Sequence, residues 1–339
     1  NLQVLQQEIS ALNKNRSSFA AALGNNKKFR EAIKLARDMA RSNINILING
    51  ESGTGKELFA RAIHMESGRE GYFVPINCSA IPNELIESEL FGYAAGAFTG
   101  ALKEGRVGKI ELSHEGTLFL DEIGDMPLNM QPKILRVLED RQITPVGSEK
   151  SIDVNIRVIA ATNRDLSQMV EEGTFRKDLY YRLNSVIVNI PPLRERKDDI
   201  PLLANRFVED YCMEYGVNIL SFSPEVVEAF INHDWEGNVR ELNNLIERIV
   251  IMAKNNNSNI IDLDLLPDSF AIKNFKKIKE KRNPYDLNNI ISSVEKATIL
   301  KAMEAAGNNK MKAANLLNIP RSTLYFKLEK YNIKEVSDN

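Results

Sequence analysis

Residues 45–64 read NILINGESGTGKELFARAIH, and this stretch decides the fold because an apolar strand runs through a glycine-rich loop directly into a helix. The loop fits the phosphate-binding pattern G-x-x-x-x-G-K in the strand-and-helix context that the pattern requires. Its glycines let consecutive backbone N–H groups point inward, and the start of the helix adds partial positive charge. The predicted phosphate-binding residues are Gly50, Glu51, Ser52, Gly53, Thr54, Gly55, Lys56 and Glu57. A glycine-rich turn without function is the alternative.

The two ends of this motif show what else the site needs. Lys56 is placed to reach the β and γ phosphates of a nucleotide. Glu57 stands where Ser or Thr usually holds magnesium, so magnesium needs a carboxylate from elsewhere. The segment GTLFLDE, residues 116–122, supplies it, because an apolar strand that ends in acids is costly without a cation. Asp121 is therefore predicted to organise Mg²⁺ and Glu122 to polarise the attacking water, although acids at a strand end can also be helix caps.

Transfer of a phosphoryl group to water also needs positive charge on the γ phosphate, which arginine from a neighbouring subunit can supply. The segment FRKDLYYRL offers Arg176 and Arg182, and GNVREL offers Arg240. Taken alone, each of these residues is more often a solvated or salt-bridged arginine.

The order of apolar segments predicts the architecture. Strands near NINILING, YFVPINC, GTLFLDE and VNIRVIAATN alternate with helices, including PNELIESELFGY and QPKILRVLED. This alternation favours a parallel sheet between helices, with a ligand at the carboxyl ends of the strands. From residue 191 to about 268 the pattern is that of amphipathic helices alone. Residues 273–286 are charged and end near a proline, as in a linker, and a helical unit follows at 286–333.

Composition narrows the possible functions. Of 339 residues, 27% are charged and 43% hydrophobic, as in ordinary globular proteins, and no run of ~18 apolar residues predicts a membrane span. Two cysteines are too few for a disulfide framework, which favours the cytoplasm, and three scattered histidines predict no zinc site. The net charge of −2 hides 14 Lys/Arg against 7 Asp/Glu in residues 272–339, so the C-terminal part is expected to seek a polyanion.

Eight motifs in this order closely resemble those of the bacterial enhancer-binding proteins, the NtrC/NifA-type AAA+ activators of sigma-54 RNA polymerase. The motifs are GESGTGKE, INCSAI, ELFGYAAGAFTGA, GTLFLDEIGDM, RVIAATNRDL, FRKDLYYRLN, PPLRERKDDI and WEGNVREL. The resemblance covers about residues 20–270, and GAFTGA is its most specific element. In that family a glutamate at the position of Glu57 is usual.

The resemblance implies a role for each matching residue. ATP and Mg²⁺ are the implied cofactors, bound by the Gly50–Glu57 loop and by Asp121. The further implied roles are a switch at Asn77 that restrains Glu122, a sensor at Thr162 and Asn163, arginine fingers at Arg176 and Arg182, and a second sensor at Arg240. Fingers that act on the adjacent subunit require a homo-oligomer that closes into a ring, in this family typically a hexamer.

The small-residue segment GYAAGAFTGALKEG, residues 92–105, interrupts a predicted helical run, so it is expected to project as a loop. Small residues allow such a loop to refold between nucleotide states. By resemblance, the loop contacts sigma-54 through Gly96, Ala97, Phe98, Thr99, Gly100 and Ala101, and residues 145–154 form a supporting loop. A glycine-rich core hairpin is the alternative.

The C-terminal segment KMKAANLLNIPRSTLYFKLEKY, residues 310–331, is typical of a helix, a tight turn and a second helix. Leu324 and Leu328 are predicted to be buried, and the residues left for double-stranded DNA are Arg321, Ser322, Thr323, Tyr325 and Lys327. The segment resembles the Fis-type helix-turn-helix, and the helix near Leu287 is then a candidate dimer surface. A three-helix bundle that does not bind DNA is the alternative.

These observations together predict an α/β AAA+ P-loop ATPase, in which helices sandwich a parallel sheet, followed by an all-α lid and an all-α helix-turn-helix domain. The predicted segments are a linker helix from a missing N-terminal sensor domain (1–20), the α/β subdomain (21–190), the lid (191–270), a linker (271–285) and the DNA-binding domain (286–339). The predicted function is to bind enhancer DNA and to use ATP hydrolysis to convert the sigma-54 polymerase closed complex into an open complex. A repressor that does not engage sigma-54, and an unfoldase acting on proteins, are the alternatives.

Overall fold

The computed structural model describes residues 19, 22–97, 104–255, 259–267, 270, 295, 298–303, 305–307 and 309–331. It divides into two compact units, Asn1–Pro267 and Asp268–Asn339, and each is described by itself. Apart from Phe19, the predicted N-terminal helix lies outside the described residues, as do the linker and the helix near residue 287. Among the residues that are described, none of the helices has the length and apolar character needed to cross a bilayer.

A five-stranded, fully parallel sheet forms the centre of the first unit, as the alternating pattern predicted. Its strands are Ile46–Asn49 (β1), Phe73–Asn77 (β2), Thr117–Asp121 (β5), Arg157–Thr162 (β8) and Val186–Asn189 (β9), in the order β2-β5-β8-β1-β9. The sequence pattern named four of these strands and missed β9. Strand β1 therefore lies inside the sheet, between β8 and β9.

Helices cover both faces of this sheet. They are Lys27–Ala40 (α1) and Lys56–Ser67 (α2) on one face, and Asn83–Phe91 (α3), Lys109–Leu112 (α4), Gln131–Asp140 (α5), Leu166–Glu171 (α6) and Lys177–Leu183 (α7) on the other. Alternate strand residues point to opposite faces, so Ile46 and Ile48 pack with α1 and α2, while Leu47 packs on the opposite side. Both faces are buried, which explains why the strands are apolar throughout.

Two short antiparallel ribbons extend from the side of the sheet that carries α3 and α5. Gly92–Tyr93 (β3) pairs with Arg106–Val107 (β4), and Gln142–Ile143 (β6) pairs with Ile152–Asp153 (β7). The helix expected to resume at residue 106 is thus preceded by β4 and consists of α4 alone.

The second part of the first unit is helical, with Ile200–Tyr215 (α8), Pro224–Asn232 (α9) and Asn238–Asn255 (α10). Trp235 is fully buried at its centre, where its indole N–H donates to the carbonyl of Phe230 at 2.8 Å. The expectation of an all-helical lid needs one correction, because Ser221–Phe222 (β10) and Ile260–Ile261 (β11) form a two-residue parallel pair. These segments are too short to have produced a strand pattern in the sequence.

The second unit contains the predicted pair of helices, Lys310–Leu316 (α11) and Arg321–Lys330 (α12). Asn309 caps α11 by accepting from the amides of Met311 and Lys312. The turn between the helices passes through Asn318, whose φ of 51° lies in the left-handed region. A small core of Leu324, Leu328, Ala313, Ala314 and part of residues 298–303 holds the helices together.

Candidate functional site

The glycine-rich loop lies at the carboxyl end of β1 and leads into α2, as the motif requires. Gly53 and Gly55 have φ values of 77° and 103°, which L-residues with side chains rarely adopt. The Thr54 hydroxyl donates to the Glu51 carbonyl at 2.7 Å and so closes the turn. The amide of Gly50 donates to the carbonyl of Thr162 at 3.2 Å, which fixes the start of the loop to the end of β8.

Lys56 is the first residue of α2 and is only 6% exposed. Its ammonium group donates to the carbonyl of Gly50 at 2.9 Å and lies 3.3 Å from the carboxylate of Glu122. The Glu122 side chain is itself largely buried. The lysine of the loop and the second acid of GTLFLDE, 66 residues apart in the chain, are thus direct partners.

The acidic pair ends β5 in an uncommon backbone conformation. Glu122 has φ 50° and ψ 51°, and residues held in the left-handed region cluster at functional sites because the surrounding structure has to enforce them. Its second carboxylate oxygen accepts from the amide of Asn163 at 3.3 Å. Burial, followed by the nearby negative charge of Glu122, raises the pKa of Asp121. Burial and the same acids raise the pKa of the neighbouring Cys78 thiol to about 12, so this cysteine stays protonated.

The raised pKa of Asp121 provides a test of whether this site fits a cation. Burial and a nearby second acid both disfavour the charged form of a carboxylate. A divalent cation that binds next to such a carboxylate stabilises its charged form. No group of three acidic, histidine or cysteine side chains suited to a metal occurs in the described part of the chain. Mg²⁺ commonly binds through one or two carboxylates plus substrate phosphates. The donor set therefore fits Mg²⁺ bound together with a nucleotide.

The residues expected to sense the nucleotide lie at the same edge of the sheet. Asn77 ends β2 and pairs in register with Asp121. Its side-chain oxygen accepts from the amide and hydroxyl of Ser79, so it closes a local turn. Thr162 is buried at the end of β8, where its hydroxyl oxygen accepts from the amide of Arg164 at 3.0 Å.

The start of α10 packs directly on the glycine-rich loop. The Arg240 guanidinium lies 3.3 Å from the Ser52 hydroxyl, and the amide of Val239 donates to the carbonyl of Gly53 at 3.0 Å. A side chain at Gly53 would come within 2.3 Å of the Gly237 carbonyl. The residue expected to act from the lid is therefore brought to the loop by the fold.

Arg176 and Arg182 lie apart from this cluster, on and next to α7. The exposed Arg176 side chain pairs with Asp178 at 2.7 Å, and this hydrogen bond raises the pKa of the arginine. Arg176 also lines a surface pocket with Lys177, Asp178 and Tyr181. Arg182 instead donates to the carbonyl of Leu138 at the end of α5, at 3.0 Å. In the described structure, the side-chain hydrogen bonds of both arginines are therefore with α5 and α7, and not with the phosphate-binding loop of the same chain.

The segment predicted to contact sigma-54 is described only at its edges. Gly96 has φ 73°, and Ala97 donates from its amide to the carbonyl of Ala94 at 3.2 Å, whereas residues 98–101 lie outside the described residues. The supporting loop at 145–154 does contact the base of this segment. The amide of Ala94 donates to the carbonyl of Val146 at 2.9 Å, and a side chain at Gly147 would meet Ala97.

The residues of α12 that were predicted to bind DNA differ in their exposure and in their contacts. Arg321, Ser322 and Tyr325 are exposed and Thr323 is half-buried. Lys327 is engaged with Glu295 of the same unit, whose pKa it lowers. Phe326, which was not among the predicted DNA-binding residues, is 67% exposed. It lies one turn after Ser322, on the side opposite the buried Leu324 and Leu328.

Comparison with known protein families identifies the domains of this chain. Three family models match in succession: the Sigma-54 interaction domain at residues 22–189, the AAA+ ATPase lid domain at 194–283, and the Bacterial regulatory protein, Fis family, at 290–331. The parallel sheet, the helical lid and the paired helices are thus those of an AAA+ α/β core with a lid and a helix-turn-helix domain.

Individual relatives agree with these matches. The regulatory protein AtoC of Escherichia coli K12 is 43% identical over 339 residues, which is 98% of this chain and 73% of AtoC. A signal-transduction and transcriptional-control protein of Clostridium beijerinckii is 46% identical over 309 residues, covering 91% of this chain and 47% of that protein. Crystal structures of NtrX from Brucella abortus, one of them in complex with ATP, are 34% identical with a TM-score of 0.70, over 97% of this chain and 72% of theirs.

The chain belongs to the family of sigma-54-dependent transcriptional regulators. It spans about half the length of the Clostridium beijerinckii relative.

Proposed function

We propose that this chain is an ATP-hydrolysing transcriptional activator that binds DNA upstream of a promoter and remodels sigma-54 RNA polymerase from a closed into an open complex. The observation that carries the proposal is the convergence of Lys56, Asp121 and Glu122 at the carboxyl edge of a parallel sheet, beside a loop that suits phosphates. Membership of the sigma-54 family and the ATP complex of NtrX support the nucleotide and the partner.

The phosphate-binding loop holds ATP through its backbone amides and through Lys56. The ammonium group of Lys56 is bound to the Gly50 carbonyl and to Glu122, so its charge already lies over the loop. Asp121 would hold Mg²⁺, which supplies charge neutralisation on the phosphates when bound.

Glu122 polarises the attacking water in this proposal. Its carboxylate is held between Lys56 and the amide of Asn163, at 3.3 Å from each. Phosphates that attract Lys56 would weaken the ion pair and leave the carboxylate free to accept a proton from water. Asn77 and Thr162, at the ends of the adjacent strands, are placed to sense the γ phosphate.

Hydrolysis takes place between subunits of a homo-oligomeric ring. Arg176 is exposed and held at the start of α7 by Asp178, which suits a cation offered to a neighbouring subunit. Arg182 orients α7 through the Leu138 carbonyl, and would reach the neighbour's site only by leaving that bond. Arg240 contacts the loop from the lid and would report nucleotide binding within its own subunit.

The segment Gly96–Ala101 contacts sigma-54. Its base is fixed to the 145–154 loop through Ala94 and Val146, so a shift of that loop would be passed to the segment. Phe98 and Thr99 are proposed as the contact residues from the family motif alone.

The C-terminal unit binds double-stranded DNA through the exposed side of α12. Arg321, Ser322 and Tyr325 are exposed there, and Phe326 lies at the centre of that side. A phenylalanine in the major groove recognises the methyl group of thymine. Lys327 is a weaker candidate because Glu295 holds its ammonium group. Both activities suit a cytoplasmic regulator.

The test of the nucleotide site is ATP binding and hydrolysis by the full chain. Lys56→Ala should abolish ATP binding, because it removes the ammonium group that lies over the loop. Arg206→Ala, which removes an exposed arginine paired with Asp210 on α8, is the control and should bind and hydrolyse ATP like the parent chain. Unchanged ATP affinity in Lys56→Ala would show that the loop is not the nucleotide site.

A further inference from the structure

The carboxylate of Glu51, in the phosphate-binding loop, accepts hydrogen bonds from two residues of the lid. The guanidinium of Arg194 donates to both of its carboxylate oxygens, at 2.7 Å and 2.5 Å. The side-chain amide of Asn238 donates to one of the same oxygens at 3.1 Å. Arg194, and then Asn238, lower the pKa of Glu51 even though burial opposes them, so its negative charge is secured at neutral pH.

The backbone of Glu51 contacts the catalytic lysine. Its carbonyl lies 3.4 Å from the ammonium group of Lys56 and accepts from the Thr54 hydroxyl at 2.7 Å. Lys56 in turn pairs with Glu122. A continuous set of contacts therefore runs from the lid through Glu51 to the lysine and the acid proposed for catalysis.

Asn238 is built for this contact. It is fully buried and has φ 53°, a left-handed conformation that asparagine tolerates better than most residues. Its side-chain oxygen accepts from the Leu193 amide at 2.8 Å, while its nitrogen donates to Glu51 and to the Ser52 carbonyl. An aspartate here could not donate to Glu51, and a leucine would leave both the loop and the lid with unpaired groups.

We propose that Glu51 is a positioning residue that couples the orientation of the lid to the position of Lys56, through Arg194 and Asn238. The proposal rests on ATP hydrolysis at the site described above. An exposed ion pair contributes little to stability, so the role of the Glu51–Arg194 pair is to orient the loop. Displacement of the lid would move Glu51, and with it the loop carbonyls that hold Lys56.

The chain offers a matched control for this ion pair. Lys28 on α1 and Glu195 of the lid form another pair between the two parts of the first unit, at 3.0 Å. Both pairs are substantially exposed, and Glu195 follows Arg194 directly in the chain. The Lys28–Glu195 pair does not involve the phosphate-binding loop. If the Glu51–Arg194 pair only held the lid against the α/β part, loss of either ion pair should have the same effect on ATP hydrolysis.

The first experiment is a double-mutant cycle on ATP hydrolysis by the full chain. Glu51→Gln and Arg194→Gln should each lower kcat about tenfold, and the double variant should fall no further than either one, because both remove the same contact. Lys28→Gln and Glu195→Gln should keep the kcat of the parent chain. Melting temperatures should stay close to the parent value in all variants. Multiplied losses in the double variant, or equal losses in the control pair, would overturn the proposal.

The second experiment measures the lid directly. Tyr72 in the α/β part and Met213 on α8 are 77% and 84% exposed, whereas the native cysteines Cys78 and Cys212 are buried, so a Tyr72→Cys/Met213→Cys variant accepts a donor and acceptor dye. With a non-hydrolysable ATP analogue, the distance distribution should broaden in Glu51→Gln and Arg194→Gln but not in Lys28→Gln. Identical distributions in all three would refute the coupling. A parent chain that hydrolyses no ATP would instead refute the proposed function, while the distance measurement would still decide the coupling.

Discussion

Replacement of Gly53 by alanine tests the contact between the phosphate-binding loop and the lid. The added methyl group would lie 2.3 Å from the Gly237 carbonyl and 3.1 Å from the Cβ of Arg240. Ordinary carbon–oxygen contacts begin near 3.3 Å, so the lid backbone would have to retreat by about 1 Å. That movement breaks both the hydrogen bond from the Val239 amide to the Gly53 carbonyl and the one from the Asn238 side chain to the Ser52 carbonyl, each 3.0 Å long.

The magnitude follows from these losses. The left-handed conformation at φ 77° costs alanine roughly 1–2 kcal/mol more than glycine. Two lost hydrogen bonds add about 1 kcal/mol each. Gly53→Ala should therefore destabilise the first unit by about 3–4 kcal/mol. Gly216→Ala is the control: its φ is 63°, it ends α8 in the lid, and a side chain there meets open space, so only about 1–2 kcal/mol is expected.

The assay is urea unfolding of the nucleotide-free chain, followed by tryptophan fluorescence. Trp235 is the single tryptophan and lies buried in the lid, two residues before Gly237, so the signal reports the part that must move. A difference of about 2 kcal/mol between the variants corresponds to roughly 1 M in the urea midpoint. Equal midpoints for Gly53→Ala and Gly216→Ala would refute the close packing of lid and loop.

The remaining predictions concern chemistry and recognition. Glu122→Gln should bind ATP but hydrolyse it roughly 10²-fold more slowly or worse, as measured by phosphate release, and undiminished turnover would remove Glu122 from catalysis. The folded state raises the pKa of Asp121, so the negative charge of Asp121 opposes folding increasingly as pH rises above about 4. Asp121→Asn should therefore have a higher melting temperature than the parent chain at pH 7. This difference in melting temperature should vanish in acid. Rings of Arg176→Ala mixed with Lys56→Ala should regain turnover if the arginine acts on the neighbouring subunit; no recovery at any ratio would place it in its own site. Phe326 is tested on a preferred DNA site selected from random duplexes. Replacement of one thymine by uracil should weaken binding by the parent chain roughly fourfold, which corresponds to the ~0.8 kcal/mol of one methyl group. Phe326→Ala should abolish that difference, and equal sensitivity to uracil in the parent chain and the variant would exclude the contact.

The sequence predicted the parts of this molecule that depend on local pattern. The strand, loop and helix around Lys56 follow from glycine geometry and the apolar run before it, and the parallel sheet follows from alternation of strands with helices. The acidic pair at 121–122 was expected at the nucleotide site because an apolar strand that ends in acids is costly without a cation, and Glu122 indeed pairs with Lys56. The paired helices at 310–330 follow from helical spacing on either side of Pro320.

Contacts between distant residues were not predictable in this way. Glu51 and Arg194 are 143 residues apart, and a charged residue in a pattern does not reveal its partner. Lys327 was assigned to DNA because its position on α12 suits a groove, but Glu295 on another segment holds it. Strand β9 was missed because its four residues lie between an arginine-bearing helix and two prolines, where a short β-branched run gives little periodicity. Tertiary packing decides these features.

Promoter opening in a purified system tests the central claim most directly. The full chain, sigma-54 polymerase and a template carrying the selected DNA site would be assayed for permanganate reactivity of thymines at the start site. Opening is expected with ATP, and neither with a non-hydrolysable analogue nor with Glu122→Gln, while Thr99→Ala should hydrolyse ATP without opening the promoter. Rapid ATP hydrolysis by the parent chain that never exposes those thymines would contradict the account.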